Sequence, residues 1–429
     1  MERITSFGER KERPGSARLV VVGLGAFTPL GPNVDEMWTN YLAGEKRAKL
    51  LFDERFDSRV ALPIDKYNPL DYFPKRQLSR LGIATQYSGI ASKEALVDAG
   101  IISEDGSAKT EIDEMRFGVH IGTGIGGVED YGEAIRVLDL KGPSRIDPFS
   151  VLRILPERVA TVPSMMFGFR GWSGTTVAAC ATGEVNIANA AILIKANRAD
   201  VMLCGGAEGT LTEVVQAGFG NMRALAMGFN DNPESASRPF NVDRSGFVPS
   251  EGAAVMILEE LEHAKARGAK IYAELAGMHC SLDANHDTQP HNEVIAKTID
   301  IALYDAKIRT PDLIVAHGTS TKQNEENEVD AWRMVFKEDL PNIRITAPKS
   351  VFGHSLGAAG AINAIVAVKA IHEQIIPGTV NLDNIDPKFR DLDIPRKSVR
   401  YPVKTVVADS FGFGGINAVL VFKEYEKAS

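Results

Sequence analysis

The residues best suited to chemistry are one cysteine and two histidines, each where an apolar run breaks into a turn. Cys180 lies in Thr176-Val-Ala-Ala-Cys-Ala-Thr-Gly-Glu184. An apolar run over 175–179, read as a strand, enters it, and an alanine-rich helical stretch over 184–196 leaves it. That setting puts the thiol at a helix N-terminus, where free N–H groups and the helix dipole favour thiolate. A lone cysteine is more often a small buried hydrophobe, and Cys204 and Cys280 take that reading. His317 lies in Ile314-Val-Ala-His-Gly-Thr-Ser-Thr321. His354 lies in Ala347-Pro-Lys-Ser-Val-Phe-Gly-His-Ser-Leu-Gly-Ala-Ala-Gly360, with Lys349 upstream of it. One histidine at a strand end can simply cap the backbone. Two of them, with a lysine beside one, form a constellation with the cysteine that suggests thiol nucleophile chemistry. His120, His263, His279, His286, His291 and His372 have weaker contexts and read as structural or exposed.

Two glycine-rich segments invite a nucleotide reading and fail it. Gly122-Thr-Gly-Ile-Gly-Gly127 departs from the dinucleotide glycine spacing, with no suitable acidic residue after a second strand. Asp409-Ser-Phe-Gly-Phe-Gly-Gly-Ile-Asn417 lacks the Gly-Lys-Ser/Thr of a phosphate loop, and the residues after it are strand-like. Tight turns near a substrate explain both better, so no nucleotide or metal cofactor is expected.

The elements that must position these residues alternate. Apolar runs at 18–23, 116–121, 200–206 and 252–258 read as buried strands. Helical patterns at 184–196, 294–306 and 358–372 lie between or after such runs. The alternation implies an α/β protein with buried sheets. A weak internal echo pairs Cys180 and its helix with Gly353-His354 and its helix, and late apolar strands at 252–258 and 417–422 end both parts. The echo implies two related halves, 18–265 and 266–429, with the polar seam Ala264-Lys-Ala-Arg-Gly-Ala-Lys270 between them. Residues 1–17 read as a loose polar tail.

Composition excludes several classes. The 429 residues are 44% hydrophobic and 24% charged, which is globular rather than disordered. A net charge of −8 gives no general reason to expect nucleic-acid binding. Three cysteines without regular spacing form neither a disulfide framework nor a zinc site. The N-terminus has no apolar signal core, and no long run of purely apolar residues suggests a membrane span. A reduced, cytoplasmic protein is the expectation.

Taken in order, these segments resemble the elongating β-ketoacyl-acyl-carrier-protein synthases of the type II systems, from about Arg18 to Phe422. The marks are Ala179-Cys-Ala-Thr-Gly, Cys204-Gly-Gly-Ala-Glu208, Ala236-Ser-Arg-Pro-Phe240, Ala316-His-Gly-Thr-Ser-Thr, Lys349-Ser with Gly353-His, and Ser410-Phe-Gly-Phe-Gly-Gly. The resemblance implies an acyltransferase of the thiolase fold, two pseudo-duplicated α/β halves in five α-β-α-β-α layers. It implies a homodimer, or alternatively a heterodimer, with acyl carrier protein as substrate-bearing partner and no cofactor.

Residue by residue, the resemblance makes Cys180 the acyl acceptor. His317 and His354 hold the malonyl thioester carbonyl, and Lys349 orients them. The N–H groups of Cys180 and Phe413 form an oxyanion hole, with Phe413 also a gate and Phe411 beside the substrate. Thr319 and Thr321 meet the pantetheine arm. Ile125 lines the acyl pocket. Phe149 and Ser150 lie at the far end of the partner subunit's pocket, where Ser150 replaces an aromatic ring. Glu328, Asn363 and Asp409 support the histidines. Lys75, Arg76, Arg145 and Arg223 meet the acidic carrier.

The chain departs from the family pattern at Lys322 for proline, Glu325 for aspartate, Asn363 for glutamate, Asp409 for asparagine and Ile416 for threonine. These changes suggest a paralogue serving a special acyl chain, such as a polyketide, polyene or unusual lipid. Two rivals stay open: a thiolase-type acyltransferase, and a non-catalytic chain-length partner, which the presence of Cys180 disfavours.

Overall fold

The computed structural model describes residues 17–65, 67–285 and 291–426, so the expected tail, apart from residue 17, and His286 lie outside the described residues. Ten strands form one mixed sheet. In chain order they are β1 (Leu19–Phe27), β2 (Phe117–Gly122), β3 (Ser173–Gly174), β4 (Val201–Glu208), β5 (Gly252–Glu260), β6 (Ala273–Leu282), β7 (Leu313–Val315), β8 (Arg344–Thr346), β9 (Thr405–Gly412) and β10 (Ile416–Lys423). The sheet order is β8-β7-β9-β10-β6-β1-β5-β4-β2-β3.

Outward from the centre, both halves have the same plan. In each, the first strand pairs antiparallel with the fifth, the fifth antiparallel with the fourth, the fourth parallel with the second, and the second parallel with the third. The halves join through the antiparallel pairing of Leu19, Val20 and Val21 with Leu275, Glu274 and Ala273. Residue 265 falls in the short helix Leu261–Ala266, between β5 and β6.

Five helices matter most: α1 (Ile83–Asp98), α2 (Thr182–Lys195), α3 (Asn292–Ala306), α4 (Lys322–Phe336) and α5 (Ala359–Glu373). The central pair, α2 and α5, is buried on nearly every face, which is why both sequences are rich in Ala and Ile rather than amphipathic. Their side chains share one apolar core with strands of both half-sheets. On the outer faces, α1 packs over one half and α3 and α4 over the other. The result is five layers, α-β-α-β-α, as the resemblance implies. The crowding has a local signature in β1, where a Cβ at Gly23 or Gly25 would collide with backbone carbonyls of α1.

Two expectations need correction. The run 175–179 is not a strand. Pairing stops at Gly174, and Thr176 bonds instead to the side chain of Asn186 from α2. The stretch Leu356–Glu373 does have the length and mean hydropathy (1.2) of a membrane-spanning helix, but 89% of it is buried inside the fold, which marks a core helix.

Candidate active site

Each of the three chemical residues sits on a turn that is locally strained and tied down by polar groups. Before Cys180, Ala179 adopts a left-handed conformation (φ 47°) within the short helical turn Ala179–Ala181. The turn is held from α2: Ala178 N donates to Thr182 Oγ1 at 2.8 Å, and Asn186 Nδ2 donates to the carbonyls of Thr176 and Thr182 at 2.8 and 2.7 Å. His120, read as structural, packs its Nδ1 on Asn186 Oδ1 at 2.7 Å. Beyond His317, Gly318 and Ser320 are left-handed (φ 45° and 70°), and beyond His354 so is Leu356 (φ 44°). Non-glycine residues persist in that region only when the surroundings over-determine them, and such residues cluster at functional sites.

Two buried carboxylates hold His317. Its backbone N–H donates to Glu328 Oε1 at 2.7 Å and Asp409 Oδ1 at 2.9 Å, and the next N–H, of Gly318, donates to Glu328 Oε2 at 3.0 Å. Asp409 also accepts the indole N–H of Trp332 at 2.9 Å. Burial, then mutual repulsion, raises Glu328 well above the carboxylate range, whereas burial takes Asp409 only to about 6. Asn363, from α5, donates to the carbonyls of Ala316 and Asp409 at 3.2 and 3.3 Å. All three supporting residues thus pack around the His317 turn.

The side chains converge on one cavity of about 700 Å³. Cys180, His317, His354, Phe247, Leu356, Phe411 and Phe413 line its inner part, with Thr319 and Thr321, whose hydroxyls are 3.0 Å apart. The two imidazole rings are 5.6 Å apart and perpendicular. Burial, then the charge of Lys349, depresses both histidines well below their ordinary range, so both are neutral at neutral pH.

The sequence suggests a thiolate at position 180; burial overrides it. Desolvation pushes the Cys180 thiol up to about 11, although Lys349 and the N–H groups of Phe413 and Cys180 itself pull the other way. Those two N–H groups therefore face the sulfur. Gly412 permits this approach: a Cβ there would stand 2.7 Å from Ala178 O and 3.4 Å from Cys180 N. Phe413 is 38% exposed and is followed by Gly414 and Gly415, both left-handed.

Other expected site residues are not on this cavity. Ile125 is exposed in the glycine-rich turn, whose Gly124 comes close to Ala179. Phe149 stacks on the Arg80 guanidinium, 4.6 Å from ring centroid to carbon, and Ser150 is buried at the start of the helix Ser150–Ile154. Lys75, Arg76, Arg145 and Arg223 are all exposed, and of these only Arg223 lines the cavity. Cys204 lies in the core of β4, and Cys280 is exposed on β6.

Three polar residues escaped the sequence reading. Glu208 ties the glycine-rich turn to the loop after His354, accepting from Thr123 Oγ1, Gly124 N and Gly357 N at 2.9, 2.8 and 3.0 Å. Arg244 is fully buried and bonds the carbonyls of Thr321 and Lys322. Glu184, on the first turn of α2, is buried with neither oxygen in a hydrogen bond of good geometry. Their placement beside motifs was a signal, but polar residues in a single sequence read as surface. Among the described residues no group of His, Cys, Asp or Glu side chains could hold a metal ion.

Five layers in two like halves, with a cysteine and two histidines on one cavity, define the condensing-enzyme class of the thiolase fold. Family models agree: residues 16–264 match the N-terminal domain of β-ketoacyl synthases and residues 272–383 the C-terminal domain. The chain is 38% identical over 417 residues to the 3-oxoacyl-[acyl-carrier-protein] synthase 2 of Staphylococcus aureus, covering 95% of this chain and 99% of that one. It is 37% identical over 420 residues to the protein of the same name from Synechocystis, covering 95% and 98%. Among solved structures it resembles the ishigamide ketosynthase/chain length factor (TM-score 0.87, 33% identity, covering 96% of this chain and 100% of that one). It also resembles a ketosynthase seen with its type II PKS acyl-carrier protein and bound to the hexaketide (0.86, 34%, same coverage). The chain belongs to the β-ketoacyl synthase family, and its activity is that of a condensing acyltransferase.

Proposed function

We propose that Cys180 carries the growing acyl chain as a thioester and that His317 and His354 activate a malonyl thioester presented by an acyl carrier protein. The observation carrying this reading is the pair of neutral, mutually perpendicular imidazoles, themselves buried, that line one cavity with the cysteine. Lys349 Nζ lies 3.4 Å from His317 Nδ1 and donates to the His317 carbonyl. An Nδ1 that accepts from lysine leaves the ring proton on Nε2. That N–H, with its counterpart on His354, stabilises the thioester oxygen as decarboxylation turns it into an enolate.

The carbanion then attacks the acyl carbon on Cys180. The tetrahedral oxyanion rests on the Cys180 and Phe413 N–H groups, the C–S bond breaks, and the sulfur takes up a proton. In balance, acyl-Cys180, malonyl thioester and one proton give β-ketoacyl thioester, carbon dioxide and free Cys180. A sulfur with its pKa raised by burial retains that proton.

The same electrostatics disfavour the thiolase alternative. A non-decarboxylative Claisen reaction needs a base to remove an α-proton, and imidazoles depressed this far are weak bases. Neither other cysteine lines the cavity. Cys180 itself disfavours the chain-length-partner reading. We further propose a homodimer across the free edge of β3, where Trp172 and Val177 are exposed. The heterodimer suggested by the ketosynthase/chain length factor neighbour is the alternative.

The altered residues around the histidines, Asn363 and Asp409, favour a specialised acyl chain. The test is mass spectrometry of acyl groups trapped on Cys180 in cells. Polyenoyl, polyketide or otherwise functionalised chains support specialisation, ordinary saturated chains remove it, and an unacylated Cys180 overturns the reaction.

A further inference from the structure

We propose that His120 and Asn186 are positioning residues for the nucleophile: the imidazole donates to the Asn186 amide, and the amide orients the turn that presents Cys180. The inference deepens the reading of Cys180 as acyl acceptor and rests on it.

The turn needs such a device because the sheet does not supply one. Pairing ends at Gly174, and Cys180 follows the left-handed Ala179 (φ 47°). Between them Asn186 takes both backbone groups of Thr176: Oδ1 accepts from its N–H at 3.0 Å, and Nδ2 donates to its carbonyl at 2.8 Å. The second Nδ2 proton goes to Thr182 O at 2.7 Å. One amide thus spans the turn on both sides of Cys180.

The remaining position on that amide, the second lone pair of Oδ1, meets His120 Nδ1 at 2.7 Å. Both amide protons are committed to carbonyls, so Oδ1 accepts and the imidazole must carry its proton on Nδ1. A flipped amide would set its NH2 against the Thr176 N–H and its oxygen against two carbonyls. The proton on His120 and the orientation of Asn186 therefore fix one another. Asn186 is completely buried and His120 nearly so. Burial holds the imidazole below its ordinary range, so at neutral pH it has a single proton to place.

The strand beneath the turn is shaped for this contact. His120 and Gly122 are alternate residues of β2 and face the same side. A Cβ at Gly122 would stand 2.3 Å from Asn186 Nδ2 and 2.5 Å from Thr176 O, and one at Gly174 would stand 2.8 Å from His120 Nε2. Glycine at both positions lets the imidazole, the amide and the turn close on one another.

The test is single-turnover acylation of Cys180 by acyl carrier protein loaded with octanoate, with unfolding curves for every variant. Asn186→Ala should lower the acylation rate constant about 100-fold, the scale of loss when a reacting group is misplaced by about 1 Å, with KM little changed. His120→Phe keeps a ring and removes the donor; it should cost about fivefold to tenfold, the loss of one buried neutral hydrogen bond. His120→Asn places an amide N–H near the position of the ring Nδ1 and should stay close to wild type. A role in packing alone predicts the reverse order, with phenylalanine tolerated and asparagine impaired, and that result overturns the proposal. In the Asn186→Ala background, His120→Phe should cost nothing further, and additive losses also overturn it. If His120→Phe does not fold, His120→Ala takes its place in both comparisons. A wild type that forms no acyl-Cys180 instead refutes the parent reading, and the inference falls with it.

Discussion

Lys349 Nζ donates to the carbonyl oxygen of His317 at 2.5 Å and lies 3.4 Å from Nδ1 of the same residue, so one ammonium fixes both the backbone and the tautomer of that histidine. Burial lowers the lysine pKa, while the carboxylate of Asp409 acts to keep it charged. Lys349 is a positioning residue: it meets the reaction through His317.

Replacing it with methionine should therefore do two things. Malonyl decarboxylation should fall by about 100-fold, because the Nε2 donor is no longer enforced. The acid limb of the pH–rate profile should also move upward, since Lys349 is the second cause, after burial, of the depressed His317 pKa. Steady-state profiles of both proteins check this; an unmoved acid limb would mean that Lys349 does not govern the protonation of His317.

His317→Ala and His354→Ala should each reduce malonyl decarboxylation on the order of 100- to 1,000-fold while leaving some acyl transfer to Cys180, because each removes one donor to the enolate oxygen. Separate assays of carbon dioxide release and acyl-enzyme formation distinguish the steps. Equal loss in both would remove the assigned role.

The thiol of the resting enzyme should titrate late. With Cys180 pushed up to about 11 by burial, iodoacetamide inactivation should accelerate steadily from pH 7 to 10 and show no plateau near neutrality. A plateau by pH 8 would show that the helix N-terminus outweighs burial after all. Cys180→Ala should abolish condensation and leave the fold intact, as thiol and methyl differ little in volume.

Much of this was readable in the chain. Gly252–Glu260 and Ile416–Lys423 are apolar runs that could only be buried strands, and α2 and α5 carry apolar residues on all faces because both half-sheets press on them. Cys180, His317 and His354 stood out because each follows an apolar run at a turn. What stayed hidden depends on contacts distant in sequence. The residues before Cys180 look like a strand, yet Asn186 takes their hydrogen bonds. The cysteine's helix N-terminus is visible locally, but the desolvation that overrides it is not. Glu208 and Arg244 are charged residues whose burial appears only once Gly124, Gly357, Thr321 and Asp386 gather around them.

Carrier association should depend on exposed cations remote from the chemistry. Lys75→Glu with Arg145→Glu should slow association with malonyl-carrier severalfold at low salt, and the difference should shrink as salt screens it. Both side chains are exposed, so folding is not at stake. Identical low-salt rate constants by stopped flow would take these residues out of the docking surface.

Glu184 offers a test in stability rather than rate. Its carboxyl is completely buried on α2, and burial, then repulsion from Asp409, raises its pKa well above 4.5. The folded protein thus binds a proton that the unfolded chain releases. That contribution to stability is fully present below pH 4.5, erodes as pH rises above it, and is gone once pH passes the folded-state pKa. Glu184→Gln, nearly the same shape and unable to ionise, should escape this erosion. The stability of the variant relative to wild type should grow with pH above 4.5, by up to about 1.4 kcal/mol per pH unit until the folded-state pKa is reached. Denaturant unfolding at pH 4.5, 6 and 7.5 measures it. A difference that stays constant over those three values would mean that Glu184 is ionised in the folded state, with Lys349 compensating its charge.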